Sequence, residues 1–301
     1  MKIKGGSKVT LNNSSHEILS SHQAQLVAEH WARRLPTFAE VLTLLRSQGL
    51  DPHRATPEDL HFFDIAHVGG VVATDLVARE VGICIGQRVL DVGSGLGGPA
   101  RRFAYKYGAI VSGLELSEPV YRTAVALTSL VSLADRVGFL LGSALRMPYD
   151  DGAFDVVVMQ HCAMQVAEKH QMFGECMRVL HPHGALALHE FFADYSGEPH
   201  YPLAWATEPA MSSLRTLEDT ATLLSALGFE VGPFLDQDNI ARAFYAEMVH
   251  KLEKAVAERT SWRGRGEEEA CNRLVIYRAM LKNFQENRLH LGLVVCRRGT
   301  T

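Results

Sequence analysis

The sequence predicts an α/β fold in which a mostly parallel sheet carries helices on both faces. Two observations lead there. Short apolar strands alternate with helical stretches between about residues 65 and 235, and strands so spaced are joined by helical crossovers and pair in parallel. A glycine cluster, Gly93-Ser94-Gly95-Leu96-Gly97-Gly98, follows the first of these strands directly, where open sheets of this kind receive a ligand.

Residues 1 to about 14 read as disordered. From Ser15 to Gln48, Leu26, Val27, Trp31, Leu35, Phe38, Val41, Leu42 and Leu45 recur at helical steps. Pro36 divides this stretch into two helices, and Gly49 reads as the closing cap. Arg88 to Val92 is the first strand, and a helix then runs through about Tyr107. Ala109 to Glu115 is the second strand, and Ser117 is expected to cap a helix to about Ser132. Val137 to Leu141, Asp155 to Gln160 and Ala185 to Glu190 are further strands. A helix from about Ala167 to Val179 is closed by the turn Leu180-His181-Pro182-His183-Gly184. Thr216 to Leu227 reads as a helix and Glu230 to Leu235 as a strand. Residues 239–287 are mostly helical around a charged loop from Arg259 to Glu269. His290 to Arg297 closes the chain as a strand expected to run antiparallel beside 230–235. The expected organisation is an N-terminal helical cap over 1–64, then a core over 65–301 with cap insertions at 193–213 and 239–287.

Composition removes several functional classes. A net charge of −4 over 301 residues provides no basic field for a phosphate backbone, so nucleic acid is not an expected partner. The five cysteines, Cys84, Cys162, Cys176, Cys271 and Cys296, are widely spaced without a C-x-x-C pair, which favours neither a disulfide framework nor a thiolate metal site. Met1 to Leu11 lacks the apolar centre of a signal peptide, and the apolar runs are too short to span a bilayer. A cytoplasmic protein with no metal and no membrane partner is expected. A homodimer is compatible with the sequence.

The run Val89-Leu90-Asp91-Val92-Gly93-Ser94-Gly95-Leu96-Gly97-Gly98-Pro99 is the strongest motif. Its glycines let the backbone approach a ligand, and the helix that follows offers free N–H groups. Gly93, Gly95 and Gly98 also satisfy the dinucleotide pattern G-x-G-x-x-G, which is weak alone. Asp91, two residues before the first glycine, suits a cationic amino group and would repel a pyrophosphate. Glu115, at the end of the second strand, can accept both hydroxyls of a ribose.

With these residues the chain resembles the class I S-adenosylmethionine (SAM)-dependent methyltransferases. Within them it is similar to the branch holding sarcosine/dimethylglycine N-methyltransferases and their quinone- and sterol-methylating relatives. Also similar are Asp64-Ile65-Ala66-His67-Val68-Gly69-Gly70, Gly142-Ser143-Ala144 with Met147-Pro148 and Phe154-Asp155, Met159-Gln160-His161, Arg178-Val179-Leu180-His181-Pro182-His183-Gly184 and the stretch Pro199 to Trp205. The resemblance implies a Rossmann-like, seven-stranded, mostly parallel sheet with an antiparallel last strand. It implies that Asp91, Gly93, Gly95 and Gly97, with Ser94 between them, hold the methionine end of SAM, that Leu116 packs on the adenine, and that Ser143 and Ala144 meet the adenine edge. The family usually has Asp where Ser143 stands, and close relatives often have Asp in place of Glu115.

Gln160 and His161 end the fourth strand and are placed to face the sulfonium or the methyl acceptor. His161 and His67 are the candidate proton acceptors. Glu190, at the end of the fifth strand, is a candidate acceptor ligand. Tyr201, Trp205, Phe191 and Phe192 are expected to form an aromatic wall, and Arg215 or Arg242 to meet a carboxylate. Cys162 reads as a buried filler, and His181 and His183 as surface turn residues. The expected activity is direct methyl transfer to nitrogen or sulfur, or to oxygen, of a small amino-acid- or amine-like metabolite. The alternatives are an O- or C-methyltransferase of a ring-bearing secondary metabolite or quinone, a nicotinamide oxidoreductase, and a non-catalytic SAM-binding protein.

Overall fold

The computed structural model describes residues 22–65, 67–260 and 266–299. The disordered reading of residues 1–14, the expected helix start at Ser15, Ala66 and the middle of the Arg259–Glu269 loop lie outside them.

Seven strands form one sheet in the order β3-β2-β1-β4-β5-β7-β6. They are β1 (Arg88–Val92), β2 (Ile110–Glu115), β3 (Val137–Leu141), β4 (Phe154–Gln160), β5 (Leu180–Ala193), β6 (Phe229–Asp236) and β7 (Leu289–Arg298). β1 pairs in parallel with β2 and β4, and β4 with β5. β7 is inserted antiparallel between β5 and β6, as the sequence predicts. The strand order reverses at the β1–β4 pair, and the ends of these two strands, bearing Asp91 and Gln160, open one crevice.

The helices are α1 (His22–Arg34), α2 (Phe38–Ser47), α3 (Pro57–Asp64), α4 (Gly70–Val81), α5 (Gly98–Tyr107), α6 (Glu118–Leu130), α7 (Lys169–Val179), α8 (Leu217–Ala226), α9 (Asp238–Ala257) and α10 (Gly266–Gln285). Pro36 separates α1 from α2. The Thr37 hydroxyl and the Glu40 carboxylate cap α2 reciprocally, and Gly49 follows it in the left-handed conformation at φ +77°.

The sheet is buried on both faces. Val89, Val111, Val156 and Val158 pack with Phe103, Val77 and Leu127 on one side. Leu90, Val157, Leu186 and Leu188 pack with Phe173, Met172 and Leu224 on the other. A third cluster lies beyond the strand ends, where Phe191, Trp205, Met211, Tyr245, Met280 and Phe284 join the 193–213 segment to α9 and α10. Among the described residues, no helix is long and apolar enough to cross a membrane.

Two local expectations change. Ser117 occupies the N-cap position before α6, but its side chain makes no capping bond; its backbone N–H instead donates to Glu115 Oε1 at 2.8 Å. Residues 180–184 are the start of β5 rather than a separate turn. Phe154 pairs with Leu180 and Val156 with Ala185, so the extra residues bulge out with His183 at φ +70°.

Candidate active site

The crevice at the switch point opens into a cavity of about 690 Å³, a size suited to a cofactor together with a small molecule. Gly93, Ser94, Gly95, Glu115, Leu116, Ser143, Ala144, Gln160 and His161 line it, with His67 and Trp205. The added segments close over the same space with Trp31 and Arg34 of α1, Phe244 and Met248 of α9, and Arg273 and Tyr277 of α10.

The glycine turn is shaped by close packing. Gly93 sits at φ +71°, and a Cβ there would meet Cys162 Sγ at 2.5 Å. Gly97 sits at φ +81°, where a Cβ would strike Phe139; it stands behind the cavity wall and turns the chain into α5. Glu115 binds the turn from below. Its Oε2 accepts the Gly95 N–H at 2.9 Å and its Oε1 the Ser117 N–H at 2.8 Å. The Leu116 N–H also bonds this carboxylate; of its roughly four acceptor sites, capacity remains for a ligand hydroxyl. Asp91 does not reach the cavity surface. It lies immediately beneath the turn, with Oδ2 buried and without a partner among the described residues. Burial, and then the Glu115 charge, pushes its pKa up to about 7.

A buried ion pair carries this loop. Arg101 of α5 donates to Asp64 Oδ2 at 2.6 Å and to the Leu96 carbonyl at 2.6 Å, so the end of α3 and the glycine turn share one guanidinium.

Three histidines gather at the ends of β4 and β5. His67 Nδ1 faces the Val68 carbonyl at 3.2 Å, which places the proton there. His67 Nε2 is then an acceptor for the Thr74 hydroxyl at 3.0 Å and the Gln160 amide at 3.2 Å. With its lone pair engaged twice, His67 orients Gln160 rather than taking a proton, and Gln160 Oε1 stays buried without a partner among the described residues. His161 adopts φ +55°, and its Nε2 is likewise unpartnered among the described residues. His161 stacks on His189, whose Nε2 meets Gln237 Oε1 at 3.1 Å. Burial holds His67 down to about 3 and His189 to about 4, and lowers His161 well below the ordinary imidazole range. The lowered values leave all three neutral at pH 7.

Other candidates fall elsewhere. Glu190 is fully buried and does not line the cavity; its Oε1 accepts the Cys162 and Ala163 N–H groups at 2.9 Å each, fixing the loop after β4. Tyr201 is half-buried outside the cavity wall. Phe192 lies on the opposite face of the sheet, whereas Phe191 stacks with Trp205 at 4.7 Å and meets His161 at 4.5 Å. Cys162 is a wall residue, not a sealed filler. Neither Arg215 nor Arg242 reaches the cavity; Arg242 is bonded to the Phe284 carbonyl and Asn287. The arginines that do, Arg34 and Arg273, carry no motif. Their one sequence signal is that Arg34 stands one helical turn after Trp31.

Residues 90–188 match the model of a family described as a methyltransferase domain. This stretch is a class I SAM-dependent methyltransferase domain. Its cofactor is S-adenosylmethionine, and the residues present fit it: a close-approach glycine turn, acceptor capacity remaining on Glu115, and Gln160 Oε1 on the wall, unpartnered among the described residues. The chain is 34% identical over 115 residues to a sterol 24-C-methyltransferase of Gibberella zeae, covering 38% of this chain and 30% of that protein. It is 38% identical over 93 residues to ajmaline N-methyltransferase of Rauvolfia serpentina, covering 31% and 32%. The matched stretch thus spans less than half the length of these relatives. A Galdieria sulphuraria structure provisionally assigned as a sarcosine dimethylglycine methyltransferase superposes with a TM-score of 0.66 at 20% identity, covering 77% of this chain and 86% of that one. This likeness is one of fold.

Proposed function

We propose that the whole chain methylates a small, ring-bearing, largely apolar molecule by direct transfer from SAM. The observation that carries this reading is the lining of the cavity beyond Gln160. Trp31, Val68, Met164, Phe191, Trp205, Phe244 and Met248 present an apolar and aromatic surface, and such a surface gains most from an acceptor that brings matching area. An amino-acid-sized acceptor, the sequence expectation, would leave much of it uncovered. The names of the relatives above, a sterol and an alkaloid methyltransferase, are in keeping with a larger acceptor.

Bound SAM supplies a methyl carbon already activated by a sulfonium. The protein's part is to align the acceptor and exclude water. The described residues of 22–64, with those of the insertions 193–213 and 239–287, act as the cap over the SAM-binding core. Gln160 Oε1, held by His67, offers its dipole toward the cationic end. Where the acceptor must lose a proton, His161 takes it through its unengaged nitrogen. Because His161 is neutral at pH 7, it is always in the accepting form. Five unpaired cysteines fit a reducing, cytoplasmic setting.

The test is a screen with methyl-labelled SAM against lipophilic phenols, cyclic amines and quinols, alongside glycine, sarcosine and dimethylglycine. Transfer to ring-bearing acceptors is expected. Transfer confined to the amino acids would reverse the assignment of acceptor size.

A further inference from the structure

Two segments of the cap are rooted on one side chain. Asp194 follows the last residue of β5 and starts the 193–213 segment, and Asp238 starts α9. His290, the second residue of β7, stands between these carboxylates. Its Nδ1 meets Asp238 Oδ2 at 2.8 Å and its Nε2 meets Asp194 Oδ2 at 2.9 Å. The other oxygens are engaged as well. Asp238 Oδ1 accepts the Leu291 N–H at 2.7 Å, and Asp194 Oδ1 accepts the Ser196 N–H at 2.7 Å.

An ionised carboxylate only accepts, and a neutral imidazole has a single N–H to donate. A neutral His290 would therefore set a lone pair against one of the two carboxylates, whereas an imidazolium donates to both. The surrounding charges favour the imidazolium. From β6, Asp236 Oδ1 takes the Asp238 N–H at 2.7 Å and adds negative charge nearby. Arg242 of α9 comes only to 3.9 Å from Asp238 Oδ2. Beyond α10, Arg288 is turned to Glu286 at 2.7 Å and to the Glu198 carbonyl, and His200 is paired with Glu286 at 2.7 Å. Burial opposes the charge on His290, but its hydrogen bonds to Asp194 and Asp238 outweigh that and hold the ring above the ordinary imidazole value. The side chain is 32% exposed, so water can carry its proton away.

This clasp connects to the reaction centre. Gln237, the residue before Asp238, donates its N–H to the Leu291 carbonyl at 2.8 Å, so the start of α9 holds Leu291 by both its N–H and its carbonyl. Gln237 Oε1 meets His189 Nε2 at 3.1 Å, and His189 stacks on His161.

We propose that His290, as an imidazolium, is a positioning residue that pins the roots of both cap segments and, through Gln237 and His189, the ring of His161. The inference deepens the methyl-transfer reading and rests on it only for the role of His161. Because the folded value is raised, the clasp is whole below the ordinary imidazole value of about 6.5. It is lost as pH rises through the higher value of the folded chain. Its effect on turnover is a falling limb on the alkaline side, opposite in sense to the rising limb that titration of a base produces.

The test is a nitrogen-15 histidine NMR titration of the full chain from about pH 6 to about pH 9, spanning the ordinary imidazole value, with and without saturating S-adenosylhomocysteine. His290 should carry both ring protons at the acid end and titrate with a midpoint above that value. The His161 and His189 signals, identified from His161→Ala and His189→Ala spectra, should move with the same midpoint. Burial keeps both of those rings neutral over that range, so the movement reports the coupling. His290→Gln should remove it. Hydrogen-exchange protection factors over 194–213 and 238–257 should fall at least about threefold across the range, the scale of a part-exposed ion pair. They should be low throughout in His290→Gln. His290→Lys, charged at every pH used, should keep them high throughout, and serves if the glutamine variant fails to fold. A His290 midpoint at or below the ordinary value, a His161 signal without the inflection, or cap protection independent of pH in the unaltered chain overturns the proposal. Neither measurement needs a methyl acceptor. Failure of S-adenosylhomocysteine to bind would strike the methyl-transfer reading and leave the histidine titration standing, so the two failures are distinguishable.

Discussion

The imidazoles of His161 and His189 lie stacked, centroids 5.1 Å apart and 15° from parallel. His189 is completely buried on β5 and anchored by Gln237, so it holds the His161 ring from behind. The left-handed backbone of His161, sparsely populated by residues other than glycine, turns the ring toward the cavity.

For an acceptor that loses a proton, His161→Ala should lower kcat by about 10²–10⁴-fold, the usual share of a positioned base. S-adenosylhomocysteine affinity should barely change. Burial lowers the imidazole pKa, so the accepting form persists as pH falls and is lost only below the ordinary histidine range. At saturating cofactor, kcat should therefore show no limb centred near the ordinary value of about 6.5. A limb there would remove His161 from the proton path.

Asp91 should couple cofactor binding to proton release. Burial raises its carboxyl to about 7, so below that pH it is largely protonated, and a cation binding above it favours the ionised form. S-adenosylhomocysteine affinity should then rise with pH up to about 7 and level off. Calorimetry at pH 6 in buffers of different ionisation enthalpy should detect net proton release that disappears in Asp91→Asn. Equal release by the variant would make Asp91 a neutral part of the wall.

Glu115→Ala should weaken S-adenosylhomocysteine binding by about 1.5–3 kcal/mol, the scale for hydrogen bonds to a charged group. The loss includes the Gly95 and Ser117 N–H groups left without their acceptor. Unchanged affinity in a folded variant would contradict the ribose assignment.

Asp64 and Arg101, both 1% exposed at the side chain, should dominate the stability of the cofactor loop. Asp64→Ala strands a buried guanidinium and should cost about 3–5 kcal/mol. The double variant Asp64→Leu with Arg101→Met should lose markedly less. Urea unfolding measures both, and equal losses would show that the pair is not coupled.

The cap should respond to ligands. Amides in 195–215 and 240–260, and in α10, are expected to gain hydrogen-exchange protection when S-adenosylhomocysteine and an acceptor bind together. Protection confined to the glycine turn would make the cap a surface for some other use.

The sequence by itself determined the sheet, its antiparallel β7, the glycine turn and Glu115 at the end of β2. These are legible because each is written in local signals: strand–helix periodicity, glycine where the backbone must enter the left-handed region, and polar residues at strand ends. Only the tertiary structure decided what those ends face. Glu190, expected at a strand end, lies inside the longer β5 beside the end of β4, and it turns inward to satisfy the Cys162 and Ala163 N–H groups, because buried donors left unpaired are costly. His67 and His161 look alike in sequence, but Thr74 and Gln160 engage the one and leave the other open. Arg34 and Arg273 meet only because α1 and α10 pack over the same cavity mouth. Apart from Trp31 one turn before Arg34, little within either helix marks them out, whereas Arg215 and Arg242, equally plausible in sequence, are kept out of the cavity. Side-chain direction and long-range packing, which have no local period, settled the acceptor half of the site.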